Sequence, residues 1–377
     1  MPLTLLFPDT LLADPAPLRH ASVLAGQQLL RRAHCMSQLD DDAALPLETP
    51  YEQWLRRELK LPSNASLEAG SAFVDGLGVS HWRLTPAHLH LGADHIVLTD
   101  PTQLPLDQAS ALELVDAIAA TLTAAGMTVT LANPHRWYLS APADFDLSAH
   151  SWRVASGRSI DGFQPTGPSA RRWRQVLTEI QMVWHQHPLN EQRAQLGLPV
   201  VNSIWLDGRC APAQRFDYDV CCTDLLGLSG IARNAQATTH RSLRIAPIAA
   251  LNDLLRADPL QADSRRLLVV FDPCPMIKHS GATDDPATSS DRDDAAFTER
   301  LATHWQHLVE TFSSHGVLPV LADLARASRR EPLRIVLTGD RRIVELRLGP
   351  WDLLALSRQL RLLPLFETGE RALLRRA

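Results

Sequence analysis

The chain is short of lysine, of cysteine and of any long apolar run, and each shortage narrows what it can be. Lys60 and Lys278 are the only lysines; every other basic side chain is arginine. Alanine and leucine are also abundant, so the arginine preference by itself reflects base composition as readily as phosphate binding. With acidic residues in excess, a net charge of -5 and an isoelectric point near 6.3, the chain lacks the general basic footprint that nucleic acid or an anionic membrane surface requires. The five cysteines, Cys35, Cys210, Cys221, Cys222 and Cys274, are odd in number and have no paired metal-ligand spacing, which points to reduced, mostly buried thiols. Cys221 and Cys222 lie near Asp217, Asp219 and Asp224, but neighbours on a strand face opposite ways, which argues against a shared metal. The apolar start at residues 3–7 has no basic flank and stops at Pro8-Asp9, so neither a secretory signal nor a membrane span is expected, and the expected location is the cytoplasm. No internal repeat is evident, the first part of the chain holds no phosphate loop, and the acidic stretch at 278–294 lacks EF-hand spacing.

What is present is a length of 377 residues, 45% of them hydrophobic, enough for one large or two ordinary domains. Residues 3–7 read as a short buried strand, and residues 22–32 and 51–59 as helices around Pro-rich and acidic stretches. From His81 the pattern becomes α+β. Residues 82–91 and 96–98 read as strands, 107–125 as a helix ended by Gly126, and 128–131 with 137–139 as a hairpin about Asn133-Pro134, a ββαββ layout. Trp173, Val176, Leu177, Ile180, Val183 and Trp184 then share one face of an amphipathic helix for which Ser169 is the expected cap. After Gly208 an α/β texture begins: a helix near 248–255, a buried strand at 267–272, a polar loop at 278–294, a long helix with Phe297, Leu301, Trp305, Leu308, Val309 and Phe312 on one stripe, and strands at 317–321, 333–337 and 343–348 with Gly339-Asp340 as a hairpin turn.

The most telling stretch is His187-Pro188-x-Asn190-x-x-Arg193-x-x-x-Gly197-x-Pro199-x-x-Asn202. Pro188 stops the preceding helix, Asn190 suits the cap of a second one, Gly197 ends it, and residues 200–206 read as a strand. Capping accounts for Asn190 and Gly197. It accounts less well for His187, Arg193 and Asn202, since a buried amide inside an apolar strand needs partners.

This run resembles a segment shared by archaeal-type cofactor-independent phosphoglycerate mutases and a bacterial branch of RpfE-type regulatory, phosphoglycerate-mutase-like proteins, with the closer likeness to the bacterial branch. The similarity extends to Leu84-Thr85-Pro86-Ala87-His88-Leu89, Asp94-His95, Asp100-Pro101, Pro134-His135-Arg136-Trp137, Gly157-Arg158-Ser159-Ile160-Asp161 and Glu179-Ile180-Gln181-Met182. The resemblance implies an α/β chain: a degenerate alkaline-phosphatase-like core sheet from residues 1–75 and 210–377, and an inserted α+β domain, ββαββ plus helices, from 76–209. Catalytic relatives use two divalent metals and a serine that is transiently phosphorylated. Here Asp9 is followed by Thr10 where glycine is expected, Asp272 follows a buried strand with His279 displaced into the polar loop, and Gly339-Asp340 is followed by Arg341 rather than histidine. No serine stands in the expected context. The reading is therefore a pseudoenzyme with no metal, no cofactor and no catalytic residue.

The inserted domain of the catalytic relatives closes over a phosphorylated three-carbon acid, a task that suits the planar fork of arginine. Arg136, Arg158 and Arg193 are the ligand-binding candidates, with His187, Asn190 and Asn202 as positioning groups and Asp161 orienting an arginine. The implied partner is a phosphorylated or carboxylated metabolite or another protein, with no nucleic acid and no membrane. Two alternatives stand beside this: an active metal-dependent mutase or phosphatase, and an interaction protein in which the arginines only tie helices to strands.

Overall fold

The computed structural model describes residues 3–11, 34–40, 46–92, 95–240, 242–251, 253–254, 266–271, 333–339 and 342–349. The expected helices at 22–32 and over 297–312, the loop at 278–294 and the strand at 317–321 lie outside them.

A seven-stranded sheet is built from the two ends of the sequence. Its strands are β1 (Leu3–Leu11), β2 (His34–Asp40), β9 (Val220–Thr223), β10 (Arg244–Ala246), β11 (Leu267–Val270), β12 (Leu333–Gly339) and β13 (Arg342–Leu348), and their order is β10-β9-β11-β1-β12-β13-β2. The first five run parallel and the last two pairings are antiparallel, so the sheet is mixed and the fold is α/β. Central β9 and β11 are buried along their whole length, as parallel strands covered on both faces must be. Alternation then sorts the side chains. Leu3, Leu5, Phe7, Cys222, Val269 and Ile335 fill one face, while Leu6, Cys221, Leu268, Val270 and Val336 meet α1 (Pro50–Leu59) through Tyr51, Trp54, Leu55 and Leu59 on the other. Cys221 and Cys222 thus face opposite cores, and burial pushes the Cys222 thiol up to about 12 and Cys221 higher still. Cys210 is buried too; Cys35, on edge strand β2, is exposed.

A second, antiparallel sheet comes from the middle of the chain, in the order β6-β7-β3-β8: β3 (His81–Ala87), β6 (Thr128–Asn133), β7 (Arg136–Ser140) and β8 (Ser203–Arg209). Between β3 and β6 the chain forms β4 (Leu89–Leu91), β5 (Ile96–Leu98) and α2 (Gln108–Ala124), and between β7 and β8 it forms α3 (Trp152–Ala155), α4 (Ala170–His185) and α5 (Pro188–Gln195). Helices α2 and α4 cover the sheet through Leu114, Ile118, Trp173, Val176, Ile180 and Trp184, with Trp137 edge-on to Trp184 at 6.0 Å. Gly126, at φ 69°, ends the turn after α2 as its sequence position requires.

Several expected boundaries move, each for a visible reason. The strand expected over 82–91 breaks at His88, because the Asn202 side-chain amide bonds both the N–H and the carbonyl of Leu89, and β4 pairs with β5 in a separate two-stranded sheet. The strand expected over 200–206 starts only at Ser203, since the amide of Asn190 already holds both backbone groups of Val201. Asn190 is not a helix cap. His187 caps α5, with Nδ1 accepting from the Leu189 N–H, and Asn190 sits inside the first turn. Ser169 does precede α4, but its hydroxyl accepts from the Asp146 N–H instead of capping. The helix expected at 248–255 opens as a 3-10 turn, Ile248–Ala250.

A 3-10 turn, Glu68–Phe73, joins the two sheets. It lies against α6 (Leu226–Thr239) with almost no gap: a Cβ on Gly227 would stand 2.0 Å from the Leu67 carbonyl oxygen, and one on Gly230 2.0 Å from that of Gly70. Only glycine permits such an approach of two backbones.

Candidate functional site

Apart from Arg136, the candidates gather around the β4–β5 hairpin and α5. Asn202 holds Leu89 of β4 from one side, while on the other Gly157 N–H donates to the Leu98 carbonyl of β5 at 2.8 Å and Ser159 bridges Val97. The Gly157–Asp161 and Pro199–Asn202 stretches, far apart in sequence, therefore flank one hairpin. Ser159 Oγ donates to the exposed Asp161 carboxylate at 3.2 Å, and Arg158 is half-buried beside it. Asn190 is buried and its amide is fully engaged: Nδ2 donates to the carbonyls of Trp184 and Val201, both at 2.9 Å, and Oδ1 accepts from Val201 N–H at 2.9 Å. Arg193 donates from Nε and Nη2 to the Pro199 carbonyl at 2.9 and 2.7 Å. His187 stands 3.9 Å from Glu113 on α2. Arg136 lies elsewhere, paired bidentately with Asp75 at 2.7 and 2.9 Å, and that carboxylate also accepts from Tyr138 Oη at 2.6 Å. The Asp75 hydrogen bond holds Arg136 above the usual guanidinium range.

Sequence reading missed a buried ionic cluster where the two sheets meet. Helix α1 supplies Glu52 and Arg56, with Glu48 just before it; the 3-10 turn supplies Glu68, β3 Arg83, α3 Arg153 and β8 Asp207. Glu48 pairs with Arg56, and Glu68 accepts from Arg153 Nε and Nη2 at 3.0 and 2.9 Å. A bulge in β8, between the pairs Arg83↔Gly208 and Leu84↔Leu206, presents Asp207 to Thr85 Oγ1 and the Trp152 N–H, both at 2.8 Å. Glu52 accepts from Thr49 N–H and Oγ1 and from Ser151 Oγ, at 2.8, 2.8 and 3.1 Å.

Four carboxyls thus face three guanidinium groups in a largely buried site, so one proton too few is bound if all ionise. Burial, then the neighbouring Glu48, raises Glu52 to about 8; burial raises Asp207 to about 7 against the pull of Arg83. Burial lowers Arg83 from its usual range despite Asp207 and Glu68, and its Nε is buried without a hydrogen-bond partner. Glu68 goes the other way: burial opposes ionisation, but Arg153 and Arg83 together hold it below the usual carboxylate range. The cluster can keep or release a proton near neutral pH. It presents no activated nucleophile, and among the described residues no group of three or more histidine, cysteine or acidic side chains could hold a metal ion.

No protein-family model and no curated protein matches the chain. Solved structures similar to it include the following two. The PH0037 protein from Pyrococcus horikoshii is 13% identical, with 92% of this chain and 87% of that one covered and a TM-score of 0.49. A cofactor-independent phosphoglycerate mutase from Thermoplasma acidophilum is 14% identical, with 92% and 89% covered and a TM-score of 0.39.

The parallel strands β1, β9, β11 and β12 all end on one edge of the large sheet, the edge where ligands bind in open α/β sheets. Leu6, Val270, Thr223 and Val336 lie level across it, and Asp9, Asp224, Asp272 and Asp340 follow them in sequence by one to four residues. Of these, Asp224 accepts from the Ile248 N–H at 3.4 Å. The Asp9 side chain and residues 272, 279 and 340 lie outside the described residues. No described helix is long and apolar enough to cross a membrane.

Proposed function

We propose that this chain is a phosphoglycerate-mutase-like protein of the RpfE-type branch, a pseudoenzyme whose two-metal centre has degenerated and whose inserted domain binds a small phosphorylated or carboxylated acid in a regulatory role. The division into a core of 1–75 and 210–377 and an inserted domain of 76–209 belongs to the same proposal, as does a cytoplasmic location. One observation carries it. The strands that would present metal ligands end together on one edge, yet the residues that follow them in sequence do not match a two-cation donor set: Thr10 follows Asp9 where glycine is expected, and Arg341 follows Gly339-Asp340 where histidine is expected. Arg158 and Arg193 are the proposed ligand contacts. Arg136, Asp161, His187, Asn190 and Asn202 act through the shape of the module.

The test is metal analysis of the purified protein after manganese loading, together with a coupled mutase assay. Substoichiometric manganese and no turnover are expected; stoichiometric metal with turnover defeats the proposal in favour of an active enzyme. Thermal stabilisation by 3-phosphoglycerate checks the binding half, since a ligand selective for the folded chain raises its melting temperature. A second reading has an observation of its own. Asn190, Asn202 and Arg136 are all engaged by protein groups, which favours an interaction protein without a small-molecule site, and the absence of stabilisation by any small acid would select it.

A further inference from the structure

Two side chains from different motifs grip neighbouring carbonyls. His88 Nδ1 donates to the Val200 carbonyl at 2.8 Å, beside the Pro199 carbonyl that Arg193 holds. A carbonyl only accepts, so this bond places the proton on Nδ1 and leaves Nε2 of His88 free to meet a ligand. His90, two residues along the extended chain and exposed, has its ring centroid 6.3 Å from that of His88.

Arg193 is the unusual member. It is 5% exposed, yet no carboxylate lies within 4 Å of it among the described residues, and with Nε and Nη2 on Pro199 its Nη1 has no hydrogen-bond partner there. Arg56, Arg136, Arg153 and Arg334 each have a carboxylate partner. The Arg193 guanidinium is largely withdrawn from water with Nη1 left at the surface, where a bound anion would supply the counter-charge it lacks. The acid whose field reaches it is Asp107, at the exposed start of α2.

We propose that His88, His90 and Arg193 form a subsite that receives the oxyanion end of a small acid, carboxylate or phosphate, over β4. Arg193 supplies Nη1–H, His88 supplies Nε2–H on taking up a proton from solvent, and His90 closes the open side. The charged and titratable groups that face His88 among the described residues are His90 and Arg193; with burial they hold its imidazole below the usual range, so it is neutral in the empty protein and gains its proton with the anion. This proposal rests on the anion-binding reading above and names its place.

The experiment follows the side-chain 15N signals of the histidines in the full chain at neutral pH during titration with inorganic phosphate, glycerate and 3-phosphoglycerate. The His88 and His90 signals are expected to move together and saturably, with Nε2 of His88 shifting toward its protonated position. Phosphate against glycerate tells which oxyanion is held. His90→Ala and His88→Gln, both with Arg193 intact, are expected to weaken binding about tenfold each, the size of one charge-assisted hydrogen bond. Arg193→Lys keeps the charge and loses the fork, and is expected to weaken it further; a failure of that variant to fold leaves the two histidine variants to decide. If 3-phosphoglycerate stabilises wild type, His90→Ala and His88→Gln alike, the subsite is wrong while the wider reading stands. If no anion stabilises wild type, both fall.

Discussion

The module around the second sheet and the seam where the two sheets meet bury polar groups in opposite ways. In the module, Asn190 and Asn202 are neutral amides whose donors and acceptors match main-chain groups in stretches outside the strand ladders, so these two contacts bury no charge. At the seam, Glu52, Glu68, Arg83, Arg153 and Asp207 come from five separate elements, and their stability depends on how many protons they share. The first device fixes shape at any pH. The second makes the fit between the two sheets depend on pH.

The largest expected effect breaks the first device. Asn190→Ala strands two carbonyls and an N–H in a buried site, which costs about 4 kcal/mol at typical penalties for unsatisfied groups, read from urea unfolding. A loss below about 1 kcal/mol would mean that water replaces the amide and the contrast fails.

Next comes the seam. Glu52 ionises at about 8 in the folded chain and in the ordinary carboxylate range, about 4, when unfolded. Between those values the folded chain binds a proton that the unfolded chain has released, so stability falls as pH rises through the window. Asp207, at about 7, adds to the same slope. Glu52→Gln can keep every contact, with its carbonyl oxygen accepting from Thr49 and its amide donating to Ser151. Urea midpoints measured across neutral pH are expected to show a flatter profile in this variant, by a few kcal/mol at the alkaline end; an unchanged slope would place the shared proton elsewhere.

A smaller effect separates charge from geometry. Arg136→Lys keeps a cation beside Asp75 but replaces a two-pronged contact with a single one, for an expected loss of about 1 kcal/mol. Smallest of all, Arg215→Ala removes a surface ion pair with Asp217 and should change stability by less than about 1 kcal/mol, within reach of salt screening.

These contrasts also explain what the sequence made legible. Continuous apolar runs located β1 and β11, which are covered on both faces, and burial on one face left the helical pattern that located α1, α2 and α4. The motif around His187 was visible for the same reason: His187, Asn190 and Arg193 act on backbone within about a dozen residues of themselves. Its roles were less legible, since a histidine and an asparagine both suit a helix start and only the packing decides that His187 caps. The ionic cluster left no trace because Glu52 and Ser151, or Thr85 and Asp207, meet only after the chain has crossed between sheets. A bulge such as the one at Asp207 changes which face a side chain meets without altering composition.

The vicinal thiols of β9 look in opposite directions, Cys221 toward the layer holding α1 and α6, Cys222 toward the far layer, where its Sγ donates to the Pro247 carbonyl. Adjacent in sequence, they sample solvent through different doors. A thiol-trapping reagent applied under mild denaturant, with each label located by mass spectrometry, would therefore time the loosening of the two layers separately from within a single peptide.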